Sequence, residues 1–154
     1  AVPRPPFVSA GHLGAEQLQA LAALLDDAQI RRRLPIVLVH HPPVDSGLRI
    51  ARLRDGLVDA AALRRVLGGL ERGIVLFGHI HRRLRCRLPT AAGALDVIAA
   101  SGAALDHPDD AVRAGFNLYQ IDAEGRIVSA EAHVVDASGR SLRQVAIAQT
   151  PGCR

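Results

Sequence analysis

Ile36-Val37-Leu38-Val39-His40-His41-Pro42-Pro43 sets the reading of the whole chain. Four consecutive β-branched or leucine side chains are apolar on both faces, the pattern of a strand covered by a layer on each side. Pro42 and Pro43 then stop regular structure, because proline lacks an N–H and fixes its own φ. The same order returns at Ile74-Val75-Leu76-Phe77-Gly78-His79-Ile80-His81, another apolar run that ends on histidines. Between the two, residues 59–70 read as a helix. Asp59 can cap it, Leu63, Val66, Leu67 and Leu70 recur at i, i+3, i+4 and i+7, and Gly68-Gly69 mark its end. Strand, helix, strand predicts two adjacent parallel strands joined by a right-handed crossover.

Upstream, Pro3, Pro5 and Pro6 make the first dozen residues read as a loop. Residues 15–28 read as a helix, with Leu18, Leu21 and Leu25 on one stripe and Leu24 widening it. A loop of mixed charge covers residues 44–57. Downstream, Arg83, Arg85 and Arg87 alternate with Leu84, Cys86 and Leu88, as in a half-buried strand. Residues 95–99, 116–121 and 126–135 read as further strands, and Gly125 provides a hairpin turn. The fold class is therefore α/β: one side of a layered sandwich, followed by a sheet that closes one face. No internal repeat or second domain is visible, so residues 1–154 read as one domain.

Nearly half of the 154 residues are apolar and 22% are charged, which suits a folded chain and excludes a disordered one. No apolar run approaches the roughly 20 residues of a membrane helix. Residues 1–7 have neither the basic nor the apolar region of a secretory leader. The net charge is +4 and every basic residue is Arg. Such a balance can attract phosphate-bearing partners, but a chain rich in Ala, Arg, Gly and Leu without Lys reads more simply as GC-rich coding. The Arg83, Arg85, Arg87 stripe lacks the interleaved aromatic residues of a nucleic-acid platform, and Arg31-Arg32-Arg33 sits at a solvated helix-to-strand turn. Neither nucleic acid nor membrane is an expected partner. Cys86 and Cys153 are far apart in sequence and read as free thiols of a cytoplasmic protein.

The histidines carry the chemistry. His40 and His41 follow one buried strand; His79 and His81 follow the next. Ligands gather at the carboxyl ends of strands in α/β sheets. In the extended segment at a strand end, residues i and i+2 face the same side, so His79 and His81 are expected to point into one cleft. Gly78 permits a sharp turn, and Pro42 and Pro43 stiffen the other loop. Neutral imidazole ligates Zn, Fe, Mn and Co, so imidazoles converging on one cleft make a candidate metal site. His12, His107 and His133 have no partner pattern and read as surface residues. Ser101-Gly102 reads as a turn.

Val39-His40-His41-Pro42-Pro43 and Phe77-Gly78-His79-Ile80-His81-Arg82 resemble the last two sequence blocks of the calcineurin-like metallophosphoesterases. Within that superfamily they are similar to the bacterial cyclic-nucleotide and glycerophosphodiester phosphodiesterase group. The resemblance runs from the Glu16-Gln17 helix to Phe116-Asn117-Leu118-Tyr119. It implies the C-terminal portion of a four-layer α/β/β/α sandwich whose N-terminal half is missing. It also implies a hydrolase of small phosphate esters, with two divalent metals (Mn, Fe, Zn or Co) bridged by a carboxylate and a hydroxide. On that resemblance His40 and His79 ligate the second metal and His81 the first. His41 is then a non-ligating neighbour in the cleft, and the candidate for a catalytic role.

The sequence departs from the family upstream. Its Asp-x-His, Gly-Asp and Gly-Asn-His blocks are absent, and Gly11-His12 does not replace the last of them. Asp45, Asp55 and Asp106 are the nearest carboxylates, and loop aspartates are ordinarily solvated. With no Met even at position 1, the chain is expected to belong to a longer product that supplies the other ligands. Alone it is expected to hold at most one metal on His40, His79 and His81, and to turn over little substrate. It is also expected to expose an apolar sheet edge or face that favours association.

Overall fold

A computed structural model describes residues 2–4, 8–44 and 56–151. Its centre is the pair of strands expected from the two apolar runs. β3 (Ile36–Val39) and β4 (Ile74–Phe77) lie side by side and parallel, with Ile36 opposite Ile74 and Val39 opposite Phe77. The residues that follow them, His40 and Gly78, therefore arrive at the same level. β6 (Ala94–Ala99) pairs parallel with β4, and β5 (Leu84–Pro89) pairs antiparallel with β6, giving the sheet order β3-β4-β6-β5.

α1 (Ala15–Asp26) and α3 (Ala60–Leu67) cover one face of this sheet. Leu18, Leu25, Leu63 and Leu67 meet Val75, Phe77, Leu95 and Val97 there in one core. The opposite face carries Ile98, fully buried, and Asp96. Against it lies a second sheet of β7 (Gly115–Ile121), β8 (Ile127–Val135) and β9 (Leu142–Ala146), all antiparallel. Asn117 of β7 donates to the Ala99 carbonyl across this boundary, and Ala132 and Val134 of β8 are fully buried. These elements thus form a helix layer and two stacked sheets, beside a separate two-stranded ribbon. No helix among the described residues is long and apolar enough to cross a membrane.

Several local expectations differ. The first dozen residues are not all loop: β1 (Val2–Arg4) pairs antiparallel with β2 (Val8–His12). A two-stranded ribbon has only edges, so Pro3 costs it little. The helix expected over 15–28 stops at Asp26. Asp27 is extended, and its carboxylate accepts from the Gln29 and Ile30 N–H groups to start α2 (Ala28–Arg31). β3 is covered on one face only: Ile36 and Leu38 are exposed, Leu38 by 77%, on the outermost strand of the sheet. Cys86 is disulfide-bonded, which corrects the expected free thiol. Distance in sequence says nothing of distance in space, and residues 148–150 run beside β5, with Arg85 N–H on the Ala148 carbonyl and Thr150 N–H on the Arg85 carbonyl. Cys153 lies outside the described residues.

Asp59 does not cap its own helix. Its carboxylate accepts from Leu13 N–H at 3.1 Å and Gly14 N–H at 2.8 Å, and so ties the entry of α1 to that of α3. Burial pushes its pKa up, but the Gly14 and Leu13 hydrogen bonds outweigh this and hold it below the ordinary value. A lowered folded pKa contributes stability that is present above the unfolded pKa and lost as pH falls through the folded one. Asp59→Ala is expected to cost about 2 kcal/mol at pH 7, the worth of hydrogen bonds to a buried charge. In urea titrations the gap between variant and wild type should close below about pH 4; a gap that persists at lower pH would refute the assignment.

Candidate metal centre

β3 and β4 deliver their histidines at adjoining strand ends, and Gly78 N–H donates to the His40 carbonyl at 3.2 Å, fastening the two loops. Arg64 of α3 donates to the Pro43 carbonyl at 3.1 Å and pins the His-His-Pro-Pro segment from below. After β4 the chain turns at once. Ile80 N–H donates to the Gly78 carbonyl at 2.7 Å, with His79 at the centre of the turn at φ 63°. Left-handed backbone is uncommon for histidine and costs energy, and it persists where surrounding structure enforces it.

This turn brings together His40, His41 and His79. One ring nitrogen from each lies within 4.8 Å of the others. His79 Nδ1 is 3.3 Å from His40 Nε2, and the His41 ring centroid is 4.3 Å from that of His79 and 4.9 Å from that of His40. His40 is exposed, His79 half-buried and His41 buried. An apolar cleft of about 260 Å³ adjoins His40, lined by Leu18, Val39 and Leu63 among others.

His41 is the most constrained of the three. Its Nε2 lies 2.7 Å from the Ser9 carbonyl of β2. A carbonyl only accepts, so Nε2 carries the proton and Nδ1 holds a lone pair. That buried Nδ1 has no hydrogen-bond partner among the described residues. Burial is the main cause that lowers the His41 pKa, aided by nearby His40 and opposed by the Ser9 hydrogen bond. A neutral imidazole whose far nitrogen is held by a carbonyl is the usual state of a metal-ligating histidine. The donor set fits a divalent transition metal on three imidazoles with a water position left open.

His81 is not in this group. It is exposed, and its φ of 48° is also left-handed. Two left-handed residues break the extended alternation that would have placed His79 and His81 on one side. The three-histidine group therefore contains His41, expected as a non-ligand, and lacks His81, expected as a ligand. No carboxylate joins it among the described residues. Asp106 is exposed and lines a separate cleft of about 380 Å³ with Arg113 and Asp136. Asp45 and Asp55 lie outside the described residues. The arginine stripe is engaged elsewhere: Arg85 and Arg87 pair with Asp96, while Arg83, only 2% exposed, donates to the Asp110 and Arg113 carbonyls and to Asn117. His12 lies 3.5 Å from Asp59, His107 accepts from Asp109 N–H, and His133 stacks on Phe116.

Sequence reasoning missed Ser9 and Gly11. Ser9 acts through its backbone carbonyl, which leaves no trace in residue type. Gly11 did leave a signal, a lone glycine in what proves to be a strand. A Cβ there would fall 2.2 to 2.7 Å from three atoms of the His41 ring. Gly11→Ala is expected to displace that ring, costing about 2 kcal/mol by overpacking and weakening metal binding about tenfold or more through lost positioning. Chemical denaturation and metal titration check this together, and unchanged affinity would show that the ring position is immaterial. No protein-family model matches the chain, and comparison with curated proteins finds no match.

Proposed function

We propose that His40, His41 and His79 bind one divalent transition metal, and that the chemistry this site serves is hydrolysis of small phosphate esters. The observation that carries the metal site is the convergence of the three rings, one nitrogen of each within 4.8 Å of the others, together with a buried His41 Nδ1 that has no hydrogen-bond partner among the described residues. The phosphoester chemistry rests on the resemblance of the two histidine blocks to the metallophosphoesterases. When bound, the metal supplies Lewis acidity toward a phosphoryl oxygen and lowers the pKa of a coordinated water. The chain's own part is to hold three neutral imidazoles. The Ser9 carbonyl keeps the His41 proton on Nε2, and the Gly78–His40 hydrogen bond keeps the strand ends together. Three imidazoles bring no negative charge. Two adjacent divalent cations repel strongly unless anionic groups lie between them, so one metal per chain is the expected stoichiometry. Little turnover is expected without carboxylates added to this cluster.

A second reading is a non-catalytic metal-binding module, favoured by the lack of a carboxylate in the group among the described residues. Calorimetric titration with Zn²⁺ and Mn²⁺, followed by inorganic phosphate, separates the two. The hydrolase reading expects one metal per chain, phosphate affinity that appears only with metal, and loss of both in His79→Ala. Metal binding with no affinity for phosphate would favour the module. Robust turnover of an aryl phosphodiester, abolished by His79→Ala, would overturn the expectation of low activity. As to compartment, a disulfide at Cys86 fits an oxidising environment better than the reducing cytoplasm that was the first expectation.

A further inference from the structure

At the other end of β3 and β4, about 13 Å from the histidines by strand rise, a cleft of about 570 Å³ opens. It lies where α1, α2 and α3 end and where Pro35 and Arg72 lead into the strands. Apolar Ile30, Val66 and Leu70 line it, and so do Arg31, Arg33, Arg65 and Arg72. Arg31 pairs with Asp26. Arg33, Arg65 and Arg72 make no side-chain hydrogen bond or ion pair among the described residues.

Four guanidinium groups face two carboxylates, Asp26 and Glu71, which leaves two positive charges in the lining. The C-termini of α1 and α3 each contribute about half a negative charge, and the single turn of α2 less. Arg65 and Arg31 stand in the last turns of α3 and α2 and serve those ends. Arg33 and Arg72 stand outside the helices and are surplus. The cleft stays positive by about one charge, in a volume typical of small-molecule sites. Guanidinium forks match phosphate oxygens, and apolar side chains in the lining accept a hydrocarbon or ring.

We propose that this cleft is a second ligand site, taking a small organic phosphate whose apolar body rests on those apolar side chains while its phosphate meets Arg33 and Arg72. The site is independent of the histidine cluster and of any metal. Hexyl phosphate, inorganic phosphate and hexanol, titrated by calorimetry into the purified chain in EDTA, provide the test. Hexyl phosphate should bind more tightly than either of the others. Arg33→Gln and Arg72→Gln should each weaken it about tenfold, the worth of one charge-assisted contact, and Arg72→Lys by less. Both positions are exposed, so the variants should fold, which circular dichroism verifies. His79→Ala should leave binding unchanged. Equal affinity in the glutamine variants, hexanol binding as tightly as hexyl phosphate, or loss in His79→Ala would each overturn the proposal. So would binding of an acidic peptide where hexyl phosphate does not bind, which would make the cleft a protein-docking surface.

Discussion

Replacing His41 with alanine should weaken divalent metal binding by at least about 100-fold, more than loss of a supporting contact costs, while His81→Ala should change it little. The contrast is sharp because the resemblance and the geometry disagree. The sequence blocks imply His81 as a ligand and His41 as a bystander. In the structure the His41 ring lies next to His40 and His79, its buried Nδ1 has no hydrogen-bond partner among the described residues, and His81 stands outside that group. Calorimetry on the two single variants decides between them. Loss of affinity in His81→Ala with retention in His41→Ala would restore the ligand set the blocks imply. A control guards against a folding artefact. His41 lies against Gly11 and Ser9, so its removal also opens a cavity, and the far-UV spectrum and unfolding midpoint of His41→Ala must stay close to wild type before the affinity is read.

The second large effect lies away from the site. Asp96 is 5% exposed on the sheet face that meets β7 to β9. It accepts from Arg85 Nε at 3.0 Å, from Arg85 Nη2 at 2.9 Å and from Arg87 Nη1 at 2.9 Å. Asp96→Ala removes the shared acceptor and strands Arg85, whose side chain is 18% exposed. Breaking a buried pair from one side costs about 3 kcal/mol, which for a chain of this size lowers the melting temperature by roughly 10 °C. Removing both charges at once, as Asp96→Leu with Arg85→Leu, should cost clearly less. If the double variant is as unstable as the single one, the loss comes from packing and not from the stranded charge.

The strands leading to His40 and His79 were legible because four apolar residues in a row, stopped by Pro42 or Gly78, leave few alternatives. The stripes of α1 and α3 were legible for the same reason. Other features turn on properties that residue type does not carry. Asp59 looks like a helix cap, yet the chain entering α1 passes close enough to take its carboxylate. The break at Asp27 hides within a continuous leucine stripe. β9, with four of its five residues exposed, lacks the apolar alternation that marks a strand. The three-histidine cluster was partly legible. Histidine spacing located the cluster, but its membership depended on the sign of φ at His79 and His81. The Ser9 carbonyl came from a segment that its prolines had marked as loop.

That carbonyl ties the N-terminal ribbon to the candidate metal site. Among the contacts of β2 with the rest of the chain are those of Gly11, whose N–H donates to the Gly56 carbonyl and whose carbonyl accepts from Val58, of Ser9 on His41, and of His12 beside Asp59. If the ribbon peels away, His41 loses the contact that fixes its tautomer. By linkage, a metal that prefers the docked form must hold the ribbon down, by about 2.7 kcal/mol at a hundredfold excess over its dissociation constant if the peeled form does not bind it. Amide exchange at Gly11 and Val58 should therefore slow on adding metal in wild type and stay unchanged in His41→Ala. If the proposed metal binds, it acts as a clasp between the N-terminal ribbon and the central sheet, and its occupancy can be followed from a backbone amide that is not itself a ligand.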